Sequence, residues 1–159
     1  MIAAEQPDRA GRQAFEAPRA ALDPVEGSAL NLQWRVPAEA LQVASMRHAV
    51  LSFADECGVT EAAKSDIALA VSEACTNVVM HAYVDAAAPG SLIVEVSHPN
   101  GEFVVSVRDE GRGMLARPDS PGLGLGLSII GRLSQRLEIA DNGASGTEVR
   151  MTFATAIEN

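Results

Sequence analysis

The chain has 159 residues, 47% of them hydrophobic and only 4% aromatic, which suits one domain with an aliphatic core and leaves little room for a second. Its 12 basic and 21 acidic residues give a formal net charge of −9, a field that repels phosphate backbones and anionic lipid heads, so nucleic acid and membrane surfaces are poor partners. No apolar run of about 18 residues is available to span a bilayer, and the N-terminus lacks a charged-then-apolar leader pattern, so a cytoplasmic location is expected.

Residues 1–29 carry Pro7, Pro18 and Pro24, mixed charges and Phe15 as a lone large apolar anchor. They read as a mobile tail with room for a short helix around Ala10 to Leu22, and the folded domain is expected over residues 30–159. LNLQWRV alternates Leu30, Leu32, Trp34 and Val36 as a half-buried strand does. Pro37 then opens a helical pattern with Leu41, Met46, Val50, Leu51 and Phe53 as core positions, running to Gly58. Thr60 can cap a second helix from about Ala62 to Tyr83, and AAAPG ends it.

SLIVEVSH and EFVVSVRD are period-2 strands joined by PNG, a hairpin signal. A glycine-rich loop follows, then a helix from about Gly124 to Ser134 and two strands near LEIAD and TEVRMTF, with Asn142 to Gly146 as their turn. Hairpin-joined strands with helices segregated in the chain predict an α+β two-layer sandwich: a mixed, mostly antiparallel sheet with helices on one face. Cys57 and Cys75 fall in apolar helical patterns and read as free, buried thiols.

The candidate chemistry begins on the second helix, in VSEACTNVVMHAY. Ile67, Val71, Ala74 and Val78 share one side, while Asp66, Ala70, Glu73, Asn77 and His81 share another. By itself such a stripe reads as a solvated face. The strand EFVVSVRD argues otherwise, because the alternation of Phe103, Val105 and Val107 carries Asp109 onto the apolar side, where a carboxylate needs a donor. In TEVRMTF, Thr147 shares a face with Val149, Met151 and Phe153 in the same way. A planar ligand with an amino group, such as adenine, could donate to Asp109 while the Thr147 hydroxyl meets a ring nitrogen or a bridging water. The open alternative is that Asp109 only starts the DEGRG turn.

Gly111 and Gly113 in DEGRG, and Gly122, Gly124 and Gly126 in PGLGLGLSII, let backbone N–H groups and a helix N-terminus face an anion. The segment between them, MLARPDSP, could close as a lid. GVTEAAKS fails as a phosphate-binding Walker loop because Ala63 stands at the second glycine, leaving Lys64 as a surface residue. GLGLGL fails as a dinucleotide fingerprint because Ile129 stands at the third glycine. With a nucleotide held this way, Asn77 offers a neutral oxygen to Mg²⁺ and Glu73 can orient or deprotonate an attacking hydroxyl. His81 reads as a structural hydrogen-bonding residue, since no second His or Cys lies at ligand spacing.

EACTN with HAY, DEGRG, GLGLSII and the GT before the last strand resemble, in that order, the N, G1 and G2 boxes of GHKL-type ATPases. The set is similar to the bacterial anti-sigma-factor serine/threonine kinases, over about Leu30 to Phe153. The resemblance implies a sandwich that binds ATP with Mg²⁺, with Glu73 as base, Asn77 on magnesium and Asp109 on adenine. The glycines of both later boxes, with Leu123 and Leu125 in the same run, would shape the lid and phosphate contacts. It also implies a STAS-domain anti-sigma-factor antagonist as substrate, a sigma factor as the second partner, and a homodimer. Two other outputs stay open: ATP-dependent partner switching without kinase activity, and a histidine-kinase catalytic subunit, against which the short lid argues.

Overall fold

Hydrophobic alternation builds a five-stranded sheet in the order β1-β2-β3-β5-β4. The strands are β1 (Asn31–Pro37), β2 (Ser91–Ser97), β3 (Glu102–Asp109), β4 (Arg136–Asp141) and β5 (Thr147–Ala154). All four pairings are antiparallel, and no parallel pair occurs among the described residues. The computed structural model describes residues 30–112, 123–142 and 145–155, so the tail over 1–29 lies outside the described residues.

Register aligns the apolar positions in rows across the sheet. Leu32, Val96, Val105, Met151 and Leu137 form one row, and Trp34, Val94, Val107, Val149 and Ile139 the next. Because the side-chain period is two, these rows fall on one face and the polar positions on the other. On that opposite face Arg108 donates to Gln33 and Glu95, and Ser106 donates to Glu148. The next row on the apolar face brings in Val36 and Leu92, and Leu92 pairs with Asp109. A carboxylate thus ends a hydrophobic row.

Helices α1 (Ala40–Glu56), α2 (Glu61–Asn77) and α3 (Leu123–Leu133) contribute to the same core. α1 buries Met46, Val50, Phe53 and Ala54, a stripe at i, i+4, i+7 and i+8, and Phe53 meets Phe103 of β3 with ring centroids 5.8 Å apart. Leu41, expected in that core, is 83% exposed. It lies five residues before Met46, about 140° around a helix of 3.6 residues per turn, and so faces away. Leu30 is likewise exposed, one residue before the strand begins. Pro37 ends β1 instead of opening the helix, which starts at Ala40. Gly58, at φ +69°, turns the chain after α1, a conformation that favours glycine.

Thr60 caps α2 as expected, its hydroxyl accepting from the Ala63 N–H at 3.3 Å. The α-helix stops at Asn77, however, and Val78–Ala82 continues as a π-helical turn. Arg112 occupies that end: its backbone N–H donates to the Ala82 carbonyl at 3.1 Å and its Nε to the His81 carbonyl at 3.0 Å. Carbonyls left over at a helix terminus are satisfied here by a cation from a distant loop. Between β2 and β3 the Pro99 carbonyl accepts from Glu102 at 3.0 Å, with Asn100 and Gly101 at φ 53° and 81°. This is the tight hairpin turn that PNG predicts. Both thiols are free, and burial pushes Cys75 up to about 12.

Candidate functional site

The polar stripe of α2 meets α3 at one glycine. A Cβ placed on Gly126 would lie 3.2 Å from Glu73 Oε2 and 3.3 Å from Asn77 Oδ1. Asp66, the first member of the expected stripe, is exposed, and Ala70 is buried in the core. The stripe is therefore a local pair at the α2–α3 contact. Asn77 is only 6% exposed, and its Nδ2 is a buried donor without a hydrogen-bond partner among the described residues. Such a group costs stability unless something supplies an acceptor.

Of the glycine-rich run, Leu123, Gly124, Leu125 and Gly126 form the first turn of α3. The backbone N–H groups of Leu123, Gly124 and Leu125 have no acceptor within the helix, so they face whatever sits before it. Among the described residues nothing lies within 4 Å of a Cβ built on Gly124, and the Leu125 side chain is 72% exposed. Of these four, Gly126 is the residue brought against Glu73 and Asn77. Gly113, Gly122 and the lid segment MLARPDSP fall outside the described residues, as does the side chain of Leu123.

Asp109 is 2% exposed, and its Oδ1 accepts from the Gly111 N–H at 2.9 Å. Burial raises its pKa above the ordinary aspartate value, opposed by hydrogen bonds from the backbone of Gly111 and Thr147. Asp109 therefore starts the turn and is also buried on the apolar side. Two N–H contacts leave acceptor capacity on a carboxylate with about four lone-pair positions. Thr147 is buried beside it at the start of β5.

Close backbone approaches fix this turn. A Cβ on Gly111 would stand 2.1 Å from the Ala82 carbonyl oxygen. One on Gly146, at φ +94°, would stand 2.1 Å from the Asp109 carbonyl oxygen, so both positions exclude any side chain. Asn142 Nδ2 donates to that same Asp109 carbonyl at 2.9 Å. Tyr83 Oη accepts from the Glu110 N–H at 2.8 Å and donates to the Ser91 carbonyl at 2.7 Å. Arg35 holds the Glu110 carboxylate through two contacts at 2.9 and 3.1 Å, and Arg112 also reaches Asp85 at 3.2 Å. The proximity of Arg35 lowers the Glu110 pKa.

Sequence reasoning does not find Arg35, Tyr83, Glu110, Arg112 or Asn142 as parts of the site. HAY and DEGRG contain three of them, but what couples them is contact across more than 25 residues, which no local pattern encodes. The donor set is a carboxylate and a carboxamide, and no group of three or more His, Cys, Asp or Glu among the described residues could hold a metal alone. A hard cation here would have to share its ligands with phosphate oxygens and water, as magnesium does.

A family model described as histidine kinase-like ATPase domain matches residues 36–153, spanning every element from the end of β1 to β5. The chain belongs to that family. Among its family relatives, an anti-sigma F factor of Clostridium botulinum (strain Eklund 17B / Type B) is 30% identical over 116 residues, covering 66% of this chain and 80% of that protein. A serine-protein kinase RsbW of Halalkalibacterium halodurans is 31% identical over 134 residues, covering 76% and 81%. The fold is similar to part of a solved chain described as the RsbU and RsbW domains of Rv1364c from Mycobacterium tuberculosis, at a TM-score of 0.63 and 24% identity. That match covers 79% of this chain and 32% of the solved one. A histidine kinase domain from Erythrobacter litoralis EL346 superposes at a TM-score of 0.52. No helix among the described residues is long and apolar enough to cross a membrane.

Proposed function

We propose that this chain is an anti-sigma factor and an ATP-dependent protein serine/threonine kinase, which phosphorylates a STAS-domain antagonist in a partner-switching circuit. The observation that carries this reading is the meeting of Gly126 with Glu73 and Asn77, an acid and a carboxamide whose Nδ2 has no partner among the described residues, against the first turn of a helix. The names of the anti-sigma F and RsbW relatives support the same class of protein.

In this reading Glu73 accepts the proton of a serine or threonine hydroxyl as its oxygen bonds to the γ-phosphorus and ADP leaves. Asn77 would hold Mg²⁺ together with phosphate oxygens and water. Bound magnesium supplies neutralisation of the charge on the transferred phosphoryl group. Asp109 accepts from the adenine amino group, and Thr147 meets a ring nitrogen directly or through water. The first-turn amides of Leu123, Gly124, Leu125 and Gly126, with Gly111, Gly113 and Gly122, line the phosphates. The domain over residues 30–159 works as a cytoplasmic homodimer, and light scattering at twice the monomer mass checks that assembly.

The test is phosphate transfer to a STAS-domain antagonist in the presence of ATP and magnesium. Phosphoserine or phosphothreonine on the antagonist is expected, and acid-labile phosphohistidine would overturn the assignment. Glu73→Gln should abolish transfer while nucleotide binding persists, and a normal rate in that variant would remove Glu73 as the base.

A further inference from the structure

β2 and β3 pair directly from Ser97↔Val104 to Leu92↔Asp109. One step further the register sets Ser91 opposite Glu110, and there the direct pairing stops. The Tyr83 hydroxyl stands in between, accepting from the Glu110 N–H at 2.8 Å and donating to the Ser91 carbonyl at 2.7 Å. It separates two backbone groups of opposite hydrogen-bonding sense, a donor and an acceptor that adjoining strands would otherwise bring together.

The ring has a fixed seat. A Cβ on Gly90 would lie 2.0 Å from Tyr83 Cε1, so the phenol rests where only a glycine leaves space. On the outer side Arg35 bridges the same two strand ends, donating to the Ser91 hydroxyl at 2.8 Å and to the Glu110 carboxylate. On the β5 side, Asn142 holds the Asp109 carbonyl and the Thr147 backbone donates to its carboxylate. The turn that carries Asp109 is thereby fixed on the β5 side by backbone and amide contacts, and on the β2 side by the Arg35 bridge between side chains and by the Tyr83 hydroxyl between the backbones.

We infer that Tyr83 is a positioning residue for Asp109, holding the ends of β2 and β3 apart by the width of its hydroxyl so that the buried carboxylate stays aimed at the 6-amino group of adenine. Tyr83 touches no reacting atom and acts through the Glu110 peptide, the one that follows Asp109. Without the hydroxyl, the Glu110 N–H and the Ser91 carbonyl either close on each other or stay unpaired. Either outcome displaces or loosens the carboxylate. The inference rests on the reading of Asp109 as the adenine acceptor, and its test keeps the two apart.

The test is calorimetric titration of the full chain with ATP and with purine riboside triphosphate, which lacks only the 6-amino group. Tyr83→Phe keeps the ring in its seat and removes the hydroxyl. Its ATP affinity should fall about tenfold, the equivalent of one well-made hydrogen bond. Affinity for the analogue should hardly move, so the preference for ATP shrinks. A purely structural tyrosine would instead weaken both nucleotides alike and lower the melting temperature, and that result would overturn the proposal. Adding Tyr83→Phe to Asp109→Asn should change ATP affinity by less than about twofold, because the two act as one unit, whereas a full additional loss would refute the coupling. If Asp109→Asn itself leaves the preference intact, the adenine reading fails. If Asp109→Asn abolishes it and Tyr83→Phe leaves it unchanged, the positioning role alone falls.

Discussion

The carboxylate of Asp109 sits at the end of an apolar row, and burial raises its pKa despite two backbone donors. A carboxyl whose folded pKa lies above its unfolded value binds its proton more tightly when folded. It therefore lowers stability above the folded pKa, and the loss is relieved as pH falls through that value. Asp109→Asn should accordingly raise the stability of the nucleotide-free protein at neutral pH, with the gain shrinking on acidification. Urea denaturation at pH 7 and at about pH 4 would measure both. The same variant should lose about 1–3 kcal/mol of ATP binding, because a buried acceptor is replaced by a group that can present a donor. Opposite signs on stability and affinity are what a binding residue held against its solvation preference predicts. Asp109 was legible as buried from strand parity alone, since Phe103, Val105 and Val107 fix which way it points. Asn142 was not, because its side chain reaches Asp109 from 33 residues away and carries no periodic signature.

Elements separate into those that hold the fold and those that shape the site, and two substitutions distinguish them. Thr60→Ala removes the side-chain cap of α2 and should cost about 1 kcal/mol of stability. Calorimetric ATP affinity should be unchanged, because the capped end is the end of α2 remote from Glu73 and Asn77. Gly126→Ala places a methyl group 3.2–3.3 Å from the Glu73 and Asn77 side chains, which must give way. Phosphate transfer should drop at least tenfold in that variant, with a smaller change in melting temperature. The α2 cap and the PNG hairpin could be read from the chain because each is a contact between near neighbours. The π-helical turn could not. Its apolar spacing over Val78–Ala82 suits a continued α-helix, and the widened turn has as partners Arg112 and Gly111, supplied from beyond β3. Leu41 illustrates the opposite failure: its residue type suggests the core, yet its angle around α1 places it in solvent.

At the scale of the whole molecule, α2, the end of β3, the first turn of α3 and the start of β5 come from four separate stretches of chain. A ligand bound among them would tie those stretches together only in the folded state. Saturation with ATP and magnesium at about 100 times the dissociation constant should therefore add roughly 2.7 kcal/mol of stability. Differential scanning calorimetry would show it as a raised melting temperature, and Asp109→Asn should lose most of the increase at the same nucleotide concentration. The sheet itself was legible, since alternation and the two strand-joining turns dictate its rows. The order β3-β5-β4 was not, because a strand that returns past its neighbour is chosen by packing and not by local sequence. One further consequence follows from Arg112, which closes the last carbonyls of the helical segment while sitting three residues beyond Asp109. Lifting the Asp109 turn must uncap the helix, and fraying of the helix must free the turn. Amide deuterium uptake at the two places should then proceed with a common opening rate, so that the Asp109 turn and the helical segment after Asn77 breathe together.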